Sequence, residues 1–169
     1  GGVGVPALLK WPKEVEAGSE YNMPCSTLDY LPTVADLLDY SMPDERPIDG
    51  ESLLPLLRGE RNERRRPIPY RFLDSHAKMF GAPTFALMDG KYKFLTNLSE
   101  DGSEDMLFDL DADMAESKNI IEEQRGRTAE MRKYLEDFLE SCRKSHYGGD
   151  YPEPYEPVTQ FQNSVGTWR

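Results

Sequence analysis

The sequence predicts an α+β fold in which a small four-stranded antiparallel sheet is packed by one long C-terminal helix. Three observations carry this. Beyond Pro67 the apolar residues leave helical spacing and fall into short runs of strand length. Two of those runs flank Asp89-Gly90, the strongest short hairpin signal, because both central residues of a type I′ turn need positive φ. Between Glu122 and Lys144, Met131, Leu135, Phe138, Leu139 and Cys142 recur every three or four residues, with Tyr134 alongside. That stripe is wide enough to cover one face of a sheet.

The elements follow in chain order. Val3, Val5, Ala7, Leu8 and Leu9 read as a mostly buried strand stopped by Pro12, with its sheet expected upstream. Residues 13–24 are polar, with Gly18 and Pro24, and predict a loop. Leu28, Leu31, Ala35 and Leu38 have helical spacing. Pro32 fits only a first turn, so Asp29 is the expected cap. After a loop over 40–50, Ser52 is expected to cap a short Leu53–Arg58 helix that Gly59 ends. Glu60–Arg66, with four arginines, reads as a solvated connector. Strands are predicted at Ile68–Leu73, Thr84–Met88, Tyr92–Thr96 and Met106–Leu110. The amphipathic helix follows; Gly126 weakens its first turns by about 1 kcal/mol. The Pro- and Tyr-rich stretch 147–169 predicts an extended arm or a disordered tail.

Composition narrows the function. The 169 residues hold 20 Lys+Arg against 31 Asp+Glu, a net charge of -11. Such a balance repels phosphate, so neither nucleic acid nor an anionic membrane surface is an expected partner. Mean hydropathy is -0.68, and no apolar run approaches a membrane span. Cys25 and Cys142 can form one disulfide at most and match no zinc spacing.

Several chemistries fail on inspection. Gly1-Gly2-Val3-Gly4 lacks the strand and third glycine of a dinucleotide cradle. Asp109-Leu110-Asp111-Ala112-Asp113 alternates oxygen ligands like a calcium loop. It has Met114 where the turn glycine belongs and Ile120 where a bidentate Glu belongs, so a charged turn is expected. Cys25 has acids rather than cations nearby, which suits a structural thiol better than a nucleophile. His146 closes the long helix, where positive charge is favourable. Asn97-Leu98-Ser99 is a formal glycosylation acceptor.

Four segments together resemble the C-terminal part of the formylglycine-dependent sulfatases, in the alkaline phosphatase-like superfamily. Gly1-Gly2-Val3-Gly4-Val5-Pro6 with Trp11-Pro12 is similar to the family's Gly-Gly-x-x-x-Pro strand. Ser26 to Val34 resembles its Asp-x-x-Pro-Thr helix, here Asp29 to Thr33. Asp49-Gly50-Glu51-Ser52-Leu53-Leu54-Pro55-Leu56-Leu57 resembles its Asp-Gly-x-Ser-Leu-x-Pro-x-Leu segment. Asp89 to Phe94, then Leu107-Phe108-Asp109-Leu110 with Glu116 and Asn119, resemble its hairpin and the stretch that follows. Gly4, often Arg in the family, and Asp113-Met114, usually Asp-Pro, depart from the pattern.

The resemblance implies that residues 1–60 end a larger α/β sulfatase domain, that 61–146 form a C-terminal subdomain, and that 147–169 are a tail. It implies calcium and formylglycine for the parent enzyme, but neither in this segment. The Cys/Ser-x-Pro-x-Arg motif is missing, since Cys25-Ser26-Thr27-Leu28-Asp29 has neither the Pro nor the Arg. No catalytic and no metal-ligating residue is therefore expected, and the isolated chain should be inactive. The expected partners are an upstream sulfatase catalytic domain and a sulfated small molecule or glycan, with export to the periplasm or beyond. In the loop after the first strand, Asp74, His76 and Lys78 are the candidate substrate-binding residues, because loops on a rigid scaffold often carry specificity. Two alternatives remain open: a related phosphodiesterase or phosphonate hydrolase, and a self-associating interaction module.

Overall fold

The Asp89-Gly90 turn sets the register of the sheet. Gly90 takes φ +56°, and the strands it joins, β2 (Phe85–Asp89) and β3 (Tyr92–Thr96), pair antiparallel with Asp89 opposite Tyr92. The computed structural model describes residues 4–41, 47–72 and 82–151. These divide into two units, 4–41 with 48–65 and 66–151. In the second unit β1 (Ile68–Arg71) and β4 (Met106–Asp109) flank the hairpin, giving the order β1-β2-β3-β4 with every pairing antiparallel. This is the meander the sequence predicts.

Strand alternation gives the sheet two different faces. Leu87, Phe94 and Leu107 lie opposite one another on one face. They form the core with Met131 and Leu135 of the long helix α3 (Arg125–His146). Burying each of these side chains stabilises the fold by roughly 1.5–3 kcal/mol. The helix stripe runs through Thr128, Met131 and Leu135, with Tyr134 and Leu139 packed at its margin. Ile68, Met88, Lys93 and Phe108 share the other face and are buried as well. Lys93 survives there because its Nζ lies 2.6 Å from both carboxylate oxygens of Glu116.

Polar side chains tie the loops to this frame. Arg132 of α3 donates to Asp105 Oδ2 and to the Ser99 carbonyl, each at 2.6 Å, while Asp105 Oδ1 accepts from Thr96 Oγ1 at 2.5 Å. Asn119 Oδ1 accepts from the backbone N–H of Leu107 and of Ile121, and Ile120 N–H donates to the Leu107 carbonyl. The segment thereby satisfies β4 on the side away from β3.

The first unit contains a 3₁₀ turn (Thr27–Asp29), α1 (Tyr30–Leu37) and α2 (Leu54–Leu57). Residues 4–10 are exposed and pair with none of the described strands, and the sheet expected to receive them lies outside this chain. Asp29 stands at the N-cap position of α1 as expected, but its side chain makes no cap hydrogen bond to that helix; the capping box belongs to the 3₁₀ turn before it, where Ser26 Oγ accepts from Leu28 N–H and the Asp29 carboxylate accepts from Ser26 N–H. The arginine-rich stretch is solvated as expected at Glu60, Asn62, Glu63, Arg65 and Arg66, but Arg61 and Arg64 turn inward, the Arg64 side chain being only 6% exposed. Ser52 does bind the start of α2, its Oγ accepting from Leu54 N–H, and Gly59 ends that helix at φ +71°. Cys25 and Cys142 form no disulfide.

Candidate functional site

Asp74, His76 and Lys78 lie outside the described residues, as does the whole of 73–81. Their frame is described. Arg71 pairs with Phe85, and Phe72 N–H donates to the Thr84 carbonyl at 2.8 Å. Thr84 in turn donates from its N–H and its Oγ1 to Asn97 Oδ1, both at 2.8 Å. The two ends of that connection are therefore held beside each other at one end of the sheet. The side-chain oxygen of Asn97, the asparagine of the formal glycosylation site, is thus committed to this clamp, whereas a glycan would attach at its Nδ2.

The densest polar constellation lies in the first unit and was not anticipated from the sequence. Asp29, at the end of the capped 3₁₀ turn, is fully buried. Arg64 meets it with both ends of its guanidinium, Nη1 to Oδ2 at 2.6 Å and Nη2 to Oδ1 at 3.0 Å. The N–H groups of Ser26 and Glu51 donate to Oδ2 at 2.7 Å and Oδ1 at 3.0 Å. Burial pushes the Asp29 carboxyl upward. The Arg64 hydrogen bonds, those from Glu51 and Ser26, and the arginine's charge overcome it, leaving Asp29 below its ordinary value. Glu51 extends the network to Arg64 Nε at 3.3 Å and Arg61 Nη1 at 3.2 Å.

The resembling motifs meet at this network. Thr33 Oγ1 donates to the Asp29 carbonyl at 2.5 Å and accepts from Leu53 N–H at 3.0 Å. Ser52 Oγ donates to Asp36 at 2.5 Å. Gly50 runs so close to the 3₁₀ turn that a Cβ there would sit 2.0 Å from the Leu28 carbonyl oxygen. Only glycine fits. Asp-x-x-Pro-Thr and Asp-Gly-x-Ser-Leu-x-Pro are thus two halves of one interlocked joint, closed by Arg64. The available signal was the need of any buried carboxylate for a cation, with four arginines downstream.

This constellation positions backbone; it does not perform chemistry. Each Asp29 oxygen already accepts two hydrogen bonds, so neither has a lone pair for a metal. Among the described residues no group of three or more His, Cys, Asp or Glu side chains could hold one. Asp109 and Asp113 of the tempting acidic loop instead accept backbone N–H groups, from Asp111 and Ala112 and from Ser117 and Lys118. Among the described residues none forms a set that fits calcium, and Cys25 lacks the sequence context of a formylglycine precursor.

Comparison with known proteins matches this joint and the sheet together. The family model for N-sulphoglucosamine sulphohydrolase, C-terminal, covers residues 2–145. The chain belongs to that family. As a sulfatase C-terminal region it is 27% identical to mouse steryl-sulfatase over 175 residues, covering 91% of this chain and 27% of the mouse protein. A crystal structure of Ps i-CgsB in complex with k-i-k-neocarrahexaose shares its fold at TM-score 0.61 and 20% identity, covering 89% of this chain and 30% of that one. BT4656 in complex with its substrate D-glucosamine-2-N,6-O-disulfate does so at TM-score 0.56 and 23% identity, covering 80% of this chain and 28% of that one. The sulfatase C-terminal region described here therefore spans under a third of each of these relatives.

Proposed function

We propose that this chain is the C-terminal part of an enzyme that hydrolyses sulfate esters. The observation that carries the reading is the family match over residues 2–145, together with the interlocked joint at Asp29, Gly50 and Arg64 on which the family's motifs converge. In this reading the expected division at 60/61 is drawn at 65/66, where the two units part, so that Arg64 stays with its joint: the first unit completes the catalytic α/β domain, the second is the C-terminal subdomain, and 147–169 are a tail. Nucleophile and metal ligands come from elsewhere in the polypeptide. The calcium and formylglycine implied for the parent would supply charge compensation and the attacking oxygen there.

The task assigned to this segment is substrate selection. The hairpin clamp at Thr84 and Asn97 holds the base of the loop carrying Asp74, His76 and Lys78. Lys78 and His76 can donate to sulfate oxygens, and Asp74 can accept from a sugar hydroxyl. A sulfated sugar suits such a donor and acceptor set, and the substrate of BT4656 is of that kind.

The test is expression of the full open reading frame, with sulfate release measured by ion chromatography on sulfated sugars and aryl sulfates. Sulfate release is expected, and the double substitution His76→Ala, Lys78→Ala should raise KM about tenfold or more with kcat little changed. Absence of sulfate release from every ester would overturn the reading. Unchanged KM in the variant would remove the loop's role alone.

A further inference from the structure

The turn that follows β3 is strained and held from several sides. Leu98 takes φ +56°, a left-handed conformation that residues with a Cβ rarely adopt. Buried polar contacts impose it. The hydroxyl of fully buried Thr96 accepts from Leu98 N–H at 2.7 Å and donates to Asp105 Oδ1. Arg132 of α3 grips the other oxygen of Asp105 and the Ser99 carbonyl. Glycine would take this φ freely but leave the turn loose, whereas Leu98 packs against the core and fixes it. Strain that the surroundings over-determine in this way clusters at functional positions.

The residue that this turn places is Asn97. Thr84 N–H can only donate, so the amide atom facing it is Oδ1, and Thr84 Oγ1 donates to the same oxygen. With Oδ1 committed, the direction of the amide is set. Asn97 is only partly buried, and its Nδ2 has no hydrogen-bond partner among the described residues. A donor fixed in direction and left unspent is prepared for a ligand oxygen.

We infer that Asn97 is a specificity-determining residue, its Nδ2 donating to an acceptor oxygen of a sulfated sugar, and that Thr84 is its positioning residue. The inference rests on the reading above, in which the chain ends a sulfate-ester hydrolase and this end of the sheet faces the substrate. Nδ2 carries two donor protons and no acceptor, so it favours an oxygen-rich anionic ligand over a cationic or apolar one. The contact is separate from the donors that His76 and Lys78 offer, because it belongs to a strand end that the core itself holds.

The experiment measures kcat and KM for sulfate release by the full-length protein, on the sulfated sugar that the wild type hydrolyses best. Asn97→Asp keeps the oxygen that Thr84 binds and puts an acceptor where the donor was. KM should rise about tenfold or more, with kcat within about twofold and Tm nearly unchanged. Thr84→Val removes one of the two bonds that orient the amide and should raise KM about threefold, and Thr84→Ser, which restores the hydroxyl, should return it. Asp101→Asn changes the charge of the neighbouring connection without touching the clamp and should leave KM as it is. Unchanged KM in Asn97→Asp would overturn the inference, as would an equally large change in Asp101→Asn. If Asn97→Asp does not fold, equal KM values for Thr84→Val and Thr84→Ser would overturn it. A wild type that releases no sulfate from any ester would overturn the hydrolase reading and this assignment with it. Turnover with a KM insensitive to these changes would remove the assignment alone.

Discussion

Replacing Arg64 by alanine gives the sharpest view of what holds the first unit together. Asp29 is fully buried and the Arg64 side chain is 6% exposed, so in the wild type the carboxylate is shielded from bulk water and balanced by the guanidinium. The carboxylate would keep only the Ser26 and Glu51 N–H groups, and Glu51 would lose its contact with Arg64 Nε. Breaking a buried pair from one side costs about 3–5 kcal/mol, because it strands a charge in a dry site. Removing both charges, with Asp29→Asn and Arg64→Ala together, should cost less than the sum of the two single changes. The pH dependence has a definite sign. Asp29 is held below its ordinary 3.8, so its contribution in the wild type is complete above that value and is lost as pH falls through the lower folded value. Without Arg64, burial is less opposed and the carboxyl moves upward. The deficit of the variant is then greatest at neutral pH and shrinks as acid protonates Asp29. Urea unfolding of wild type and variant at pH 7 and near pH 4 measures this. A deficit under about 1 kcal/mol at pH 7, or one that stays constant across that range, would refute the reasoning.

Other expectations test the remaining contacts. Gly50→Ala should cost about 3 kcal/mol or more in the same unfolding assay, since its Cβ would meet the Leu28 carbonyl and backbone has no cheap way to yield. Leu135→Ala empties a fully buried position against Leu87, Phe94 and Leu107 and should cost about 2–5 kcal/mol, read by thermal unfolding. Asn119→Ala takes the acceptor from Leu107 and Ile121 N–H and should cost about 1–3 kcal/mol, with faster exchange confined to the outer side of β4.

The second unit was legible in the sequence because its signals are local. Asp89-Gly90 fixes a turn within four residues, and the Met131–Leu135 stripe repeats along a single helix. Both needed only neighbours in the chain. The first unit was misread where its logic is long-range. Asp29 looks like a helix cap in sequence, and its role as a buried anchor depends on Arg64, 35 residues away. Charge on Glu60–Arg66 suggested solvent for the same reason: nothing local reports that a cation has a buried partner. The Val3–Leu9 pattern has the composition of a strand, but a strand is made by hydrogen bonds to another strand, and the one expected for it lies outside this chain. At Gly50 the sequence displayed a family motif, while the reason for it, a 2.0 Å approach to another backbone, exists only in three dimensions. Asp74, His76 and Lys78 rest on the resemblance and on the clamp at their loop's base.

The proposed hydrolase activity is tested most directly by comparing esters with the purified full-length protein. Values of kcat/KM are determined on a sulfate monoester and on the corresponding phosphonate monoester under identical conditions. The sulfate ester is expected to be preferred by at least about tenfold, a difference of about 1.4 kcal/mol in transition-state stabilisation. Preference for the phosphonate would contradict it and would place the enzyme among the phosphoryl-group hydrolases instead.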